Sequence, residues 1–386
     1  MTMRTIALVL VCLACEASGR RLQQAFSPVS SAGQSGSLAS IRSHSAVPAK
    51  QSDVPAQVTA TPQVSSRAST PLMADDEFDS VKPKTVFMFP GQGAQVLGMG
   101  AEAAKEVPAA AELYKKASDI LGYDLLAIDD KAELDKTVVS QPAIFVASMA
   151  AVEKLKASEG GADIVEAADT ACGLSLGEYT ALAFAGAISF EDGVKITKAR
   201  GEAMQAAADA SESGMVSIIG LDKEKAAEVC AAAAEKTGKP INVANFLCKG
   251  NYACSGAMEA VDKVVEIAKP EFKARMAVKL AVAGAFHTDF MKPAVAKLEE
   301  VLSTVEVKKP RIPVISNVDA KAHSDPAVIK DILTKQVTAP VQWETIMGNL
   351  IEDGFEAGYE LGPGKVLSGI MKRISKTAPA ITNVEV

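Results

Sequence analysis

Ser175 lies in Gly173-Leu174-Ser175-Leu176-Gly177-Glu178-Tyr179-Thr180, a G-x-S-x-G pattern. A strand-like run ending Thr170-Ala171-Cys172 precedes it, and a helix-like run, Tyr179 to Phe184, follows. A serine on so sharp a strand-to-helix turn has its hydroxyl pushed out of the fold, while the glycines let the backbone bend. That is a place for a nucleophile. Three fixed positions arise by chance in about one chain in ten of this length, so other residues must carry the argument. A serine nucleophile needs a base, and the chain has 3 histidines. His44 lies in a leader-like N-terminal segment, and His323 in a charged loop, Lys321 to Asp325, with no apolar wall to position it. Elimination leaves His287 as the base, against the alternative of a hydrogen-bonded structural histidine. Asp289 is too near in sequence to reach around the same ring, so no carboxylate third member is assigned.

Arg200 is the other residue with chemical interest. On a helical wheel of the segment after Ser189-Phe190-Glu191-Asp192, a capping-box signal, Glu191, Lys195, Lys198, Glu202 and Gln205 share one side. Arg200 falls among Phe190, Val194, Ile196, Ala203, Met204 and Ala207. A guanidinium there is costly without an anion to pair with. On the wheel alone, a structural ion pair or a snorkelling side chain is the favoured explanation.

The elements that must position these residues read as α/β. Thr85 to Phe89 is an apolar strand running into Pro90-Gly91-Gln92-Gly93-Ala94-Gln95. The dinucleotide fingerprint fails at Val96 and the phosphate loop at Met99, which leaves a tight loop at a strand's C-terminal edge. Helical patterns cover Ala101 to Leu121 and Pro142 to Lys156. From Gly214 to Leu280 the order is βαββαβ, a ferredoxin-like unit inserted into the larger body. The chain returns through His287, with helices to about Val305 and Gln336 and a strand near Ile312 to Ser316. A helix opens at Pro340-Val341-Gln342-Trp343, a strand covers Phe355 to Leu361, and a last helix begins after Gly362-Pro363-Gly364-Lys365. The expected division is a large subdomain over 84–212 and 282–382 and a small one over 213–281.

The 386 residues are 48% hydrophobic and 23% charged, as in ordinary soluble enzymes. The 6 cysteines show neither a disulfide framework nor paired metal spacing, so reduced thiols and no metal site are expected. Residues 1–74 differ from the rest. Arg4 and the apolar run Ile6 to Cys15 read as a signal peptide (1–19), too short for a permanent membrane anchor. Residues 20–74, rich in Ser, Ala, Gln and Pro and poor in acids, have transit-peptide composition. A secreted protein with a disordered linker is the alternative, and the missing disulfide pattern argues against it. Without residues 1–74 the net charge moves from −7 to −11, which disfavours nucleic acid as a partner.

Together, Phe89 to Gln95, Gly173 to Tyr179, Arg200, Gly284-Ala285-Phe286-His287, Pro340 to Trp343 and Gly362 to Lys365 resemble malonyl-CoA:acyl-carrier-protein transacylases. The resemblance covers about residues 84–380. It implies a hydrolase-like parallel-sheet large subdomain beside the ferredoxin-like small one. It implies Ser175 as the nucleophile, His287 as general base and the backbone amides of Gln92 and Leu176 as oxyanion hole. Arg200 would bind the malonyl carboxylate, and the Gln336 backbone would orient His287. The substrates would be malonyl-CoA and phosphopantetheinylated acyl carrier protein, with no cofactor and a monomeric enzyme. The two-part leader, with Ala25-Phe26-Ser27-Pro28, resembles leaders to the stroma of a complex plastid.

One position departs from the family pattern: many members carry His where this chain has Leu174. Because the carrier protein is acidic and this body is too, a local basic patch is expected, with Lys365, Lys372 and Arg373 as candidates. Three other readings remain: a serine esterase or thioesterase releasing acid to water, an acyltransferase for another acyl-CoA, and a non-catalytic scaffold that binds the carrier. The first two share the elbow; an arginine clamp for a carboxylate separates malonyl transfer from neutral-acyl hydrolysis.

Overall fold

The computed structural model describes residues 77, 78 and 80–386; the expected leader lies outside them. Strand β1 (Thr85–Phe89) buries four residues in a row, the signature of a strand covered on both faces. Val86 and Met88 point to one side, against Trp343, Met347 and Leu367. Phe87 and Phe89 point to the other, against Tyr179 and Phe184.

Helices α1 (Ala101–Glu106) and α2 (Pro108–Leu121) replace the single helix expected from the periodicity. Val107, preceding a proline, is extended at φ −119°, ψ 107°, and this separates them. After the short α3 (Lys131–Leu134) comes α4 (Thr137–Ala157), which starts before Pro142. Proline cannot donate to the carbonyl one turn back, yet burial of Thr137, Val139, Ser140 and Gln141 holds that turn helical. The helix is long and apolar enough to cross a membrane, but 78% of its most apolar window is buried inside this fold. Next come α5 (Gly161–Glu166), β2 (Thr170–Gly173), α6 (Leu176–Phe184) and α7 (Phe190–Asp209). The capping expectation for α7 holds, since Ser189 Oγ accepts from the Asp192 amide at 3.0 Å.

The inserted unit follows as β3 (Ser213–Ile219), α8 (Lys223–Thr237), β4 (Ile241–Cys248), β5 (Asn251–Ala257), α9 (Met258–Ile267) and β6 (Met276–Lys279). Its antiparallel order, β4-β5-β3-β6, is that of a ferredoxin-like sheet. The chain continues through α10 (Lys292–Thr304), β7 (Val314–Ile315), α11 (Pro326–Gln336), α12 (Trp343–Glu352), β8 (Ala357–Leu361), α13 (Val366–Ile374) and β9 (Ile381–Val384).

The large sheet is β7-β2-β1-β8-β9, parallel throughout. Its edge strand β9 has no counterpart in the sequence reading, because four residues with no turn signal reveal a strand only when β8 supplies a partner. In the β1–β2 register Phe89 faces Gly173. The loops carrying Gln92 and Ser175 therefore leave the same sheet edge side by side. The small sheet is tied to the large subdomain at Val341, in the loop before α12, which donates to Ala244 O at 2.8 Å and accepts from Phe246 N at 2.9 Å.

Candidate active site

Ser175 sits between β2 and α6 with φ 53° and ψ −101°, a backbone conformation that costs a non-glycine residue roughly 1–3 kcal/mol. Close packing enforces it. A Cβ on Gly177 would lie 2.1 Å from Phe89 O, and one on Gly173 2.0 Å from Gly177 C. No larger residue fits at either glycine of the pattern. Asn317 braces the turn from the loop after β7: Oδ1 accepts from Ser175 N at 2.6 Å, and Nδ2 donates to Gly173 O at 2.7 Å.

His287, also at positive φ (60°), brings Nε2 to 2.9 Å from Ser175 Oγ. Its Nδ1 lies 2.9 Å from the Gln336 carbonyl oxygen, at the end of α11. A carbonyl only accepts, so the ring proton sits on Nδ1 and the Nε2 lone pair faces the serine hydroxyl. Burial, and then the nearby Arg200 charge, lower the His287 pKa from 6.5 to about 4. The imidazole is thus neutral at pH 7 and free to accept the serine proton.

Arg200 is 1% exposed, its guanidinium over the Tyr179 ring at 5.1 Å. Nη1 donates to Gln141 Oε1 at 2.7 Å; Nη2 donates to Ser175 Oγ and to Gln336 Oε1, each at 3.0 Å. All three acceptors are neutral oxygens, and Nε is buried without an acceptor among the described residues. Burial lowers the Arg200 pKa, although a guanidinium keeps its proton in proteins. The cation therefore has donor capacity left for an anion beside Ser175.

The Leu176 amide begins α6 and is one of the orphan N–H groups of a helix start. Gln92 lies on the adjoining loop, its Nε2 donating to Thr137 Oγ1 at 3.3 Å. The loop is pressed on the elbow: a Cβ on Gly91 would lie 2.2 Å from Leu174 O. Gln92, Ser175, Arg200 and His287 line one cavity of about 130 Å³, whose far wall comes from the small sheet through Met215, Asn245 and Ala253. Leu174 contributes an apolar wall from the core shared with Val86 and Trp343.

The structure thus gathers every residue singled out for chemistry. Lys365, Lys372 and Arg373 lie apart from it along α13 and its start. Lys365 pairs with Glu385 at 3.0 Å, and Val366 and Ile370 of the same stretch reach the cavity. His323 corrects one premise. It is 3% exposed and 2.9 Å from Asp319 Oδ2, because the antiparallel bridge of Ile315 with Ala322 folds its loop inward.

Sequence reasoning missed Asn317, Gln141 and the side chain of Gln336. Gln141 left no signal in the sequence, since it precedes Pro142, where the expected helix begins. The site can take a serine proton, donate to an oxyanion and hold a carboxylate, which together suit acyl transfer.

Comparison with known proteins agrees with this chemistry. Residues 86–386 match the acyl transferase domain family. The chain is 40% identical over 301 residues to the malonyl CoA-acyl carrier protein transacylase of Bacillus subtilis, spanning 77% of this chain and 92% of that protein. It is 40% identical over 308 residues to the mitochondrial malonyl-CoA-acyl carrier protein transacylase of Homo sapiens, spanning 76% and 78%. Among solved structures, the malonyl CoA-acyl carrier protein transacylase of Coxiella burnetii aligns with a TM-score of 0.72 at 35% identity, covering 79% of this chain and 95% of that one. A malonyl-transacylase solved with its type II PKS acyl-carrier protein aligns at 0.70 and 35% identity, covering 78% and 94%.

Proposed function

The chain belongs to the malonyl-CoA:acyl-carrier-protein transacylases, and from that premise we propose that Ser175 carries the malonyl group during transfer. The protein is an acyltransferase that moves malonyl from coenzyme A to acyl carrier protein for fatty acid synthesis. In the first half-reaction His287 Nε2 takes the hydroxyl proton as Oγ bonds the thioester carbonyl carbon. The amides of Gln92 and Leu176 receive the oxyanion. Collapse breaks the carbon–sulfur bond, and coenzyme A leaves as a thiol with the proton from His287. The phosphopantetheine thiol then gives its proton to His287 and attacks the malonyl-serine ester. Ser175 departs as an alkoxide and regains the proton. These steps run on the chain's own groups, and the reading includes no cofactor.

One observation carries the substrate assignment: Arg200 Nη2 lies 3.0 Å from Ser175 Oγ. The free carboxylate of a malonyl ester is two carbons beyond the carbonyl bonded to that oxygen, within reach of the guanidinium. A guanidinium can meet a carboxylate with two parallel donors, a geometry lysine lacks, with Nη2 exchanging its bond to Ser175 Oγ for the carboxylate.

The test is incubation with malonyl-CoA, mass mapping of the adduct, then addition of carrier protein. A malonyl group on Ser175 that passes to the carrier supports this reading. Release as free malonate without transfer would make the protein a hydrolase, and no adduct would make it a scaffold.

Three finer statements belong to the proposal. The protein acts as a monomer, since one chain supplies every group of the site, and light scattering at dimer mass would refute this. Residues 1–74 are a leader to the stroma of a complex plastid, supported by their composition; a fluorescent fusion of that segment found outside the plastid would overturn it. The carrier docks near Lys365, Lys372 and Arg373, and charge reversal there that leaves carrier transfer and its salt dependence unchanged would remove the assignment.

A further inference from the structure

Glu178 is a buried acid to which the mechanism gives no task. It lies in the first turn of α6, 2% exposed. Its Oε2 accepts from Gln336 Nε2 at 2.6 Å and from Asn317 N at 3.0 Å. The Gln336 amide nitrogen also donates to Ser175 O at 3.0 Å. A side-chain amide has two N–H donors and one oxygen. With both donors committed, Oε1 is what Gln336 shows to Arg200, and it accepts from Nη2 at 3.0 Å.

We infer that Glu178 is a positioning residue, one that fixes the Gln336 amide and through it the Arg200 guanidinium in the orientation that receives a substrate carboxylate. The alternative orientation of the amide would aim N–H groups at the cation and an oxygen at the Glu178 carboxyl. The first contact is repulsive at any pH and the second while Glu178 is ionised, and the low dielectric of the buried site magnifies them. Ser175 O opposes the flip as well, but the bond to the carboxyl is the shorter of the two, 2.6 against 3.0 Å. Without an acceptor at Glu178 the amide is free to swing, and Arg200 loses a fixed partner. The consequence falls on substrates that use the guanidinium: malonyl transfer depends on it, and transfer of an acyl group with no carboxylate does not. Glutamine at position 178 keeps an acceptor oxygen on a side chain of the same length.

This inference rests on Arg200 as the carboxylate clamp, and the experiment separates the two. Rates of enzyme acylation by malonyl-CoA and acetyl-CoA are measured for the wild type, Glu178→Ala, Glu178→Gln, Gln336→Leu and the Glu178→Ala/Gln336→Leu pair. Glu178→Ala is expected to lower the malonyl-over-acetyl ratio by about tenfold or more, and Glu178→Gln to restore it to within about threefold of wild type. Gln336→Leu should lower the ratio to the same extent, with no further fall in the double variant. It leaves the backbone carbonyl that orients His287 in place, so it serves as the test if Glu178→Ala does not fold. Equal losses on both thioesters, or an unchanged ratio in Gln336→Leu, would overturn the inference. A wild type with no preference for malonyl would overturn the clamp itself.

Discussion

The Gln336 carbonyl oxygen and His287 Nδ1 lie 2.9 Å apart, and this contact decides which nitrogen of the ring can act as base. The orienting group is a main-chain oxygen, which has no pKa in the working range. Orientation of the ring is therefore independent of pH, whereas an aspartate in its place would titrate.

The acid limb of malonyl-serine formation should follow His287 itself. Its pKa of about 4 predicts that acylation persists well below pH 6.5 and falls only as the pH approaches 4. Rapid-quench acylation across pH 3.5–8 measures this, and a limb centred at 6.5 would contradict the buried, Arg200-shifted imidazole. Replacing His287 by Ala should slow acylation by about 10²–10⁴-fold.

Arg200→Ala should reduce malonyl acylation by roughly 10–100-fold, the value of a charge-assisted bond, while sparing or raising acetyl acylation. Paired rate measurements on the two thioesters decide it. A common loss on both would mean that Arg200 supports the fold and not the substrate.

Gly177→Ala should act through the backbone. The new Cβ would meet the Phe89 carbonyl oxygen at 2.1 Å, where no flexible side-chain end can yield. A loss of about 1–3 kcal/mol in denaturant unfolding is expected, together with loss of acylation as the elbow shifts. Full activity at unchanged stability would show that the turn relaxes freely.

Glu178 should weaken the fold as pH rises. Burial raises its pKa from 4.5 to about 7, so the native protein binds more protons than the unfolded chain between those values. Its contribution is fully present below 4.5 and lost as pH climbs through about 7, on the order of 3 kcal/mol in all. His287 has the opposite sign, since its folded pKa lies below 6.5 and stability is lost as pH falls toward 4. Comparing wild type with Glu178→Gln isolates the first effect. The difference in unfolding free energy should change in favour of the variant from pH 4.5 to 7, and a flat difference would contradict it.

What the sequence determined by itself were features whose physics acts over a few residues. The elbow shows as glycines around a serine, the α7 cap as a serine three residues before an acid, and the small sheet as an alternation of strand and helix periods. His287 emerged by elimination among 3 histidines; His323, which reads as unpositioned, is buried and held against Asp319 by a loop folding back on β7. Arg200 was legible only as an anomaly, since an arginine on an apolar face calls for partners without naming them. The partners were decided by tertiary structure. Gln141, Ser175 and Gln336 lie 59, 25 and 136 residues from Arg200, and Asn317 lies 142 from the serine it braces. No periodicity or turn preference links positions so far apart. They meet because parallel strands β1 and β2 end at one edge, and α11 and the loop after β7 are packed against that edge. The Glu178 side chain, one helical turn from the nucleophile, acquires its role only when that packing brings Gln336 and Asn317 to it.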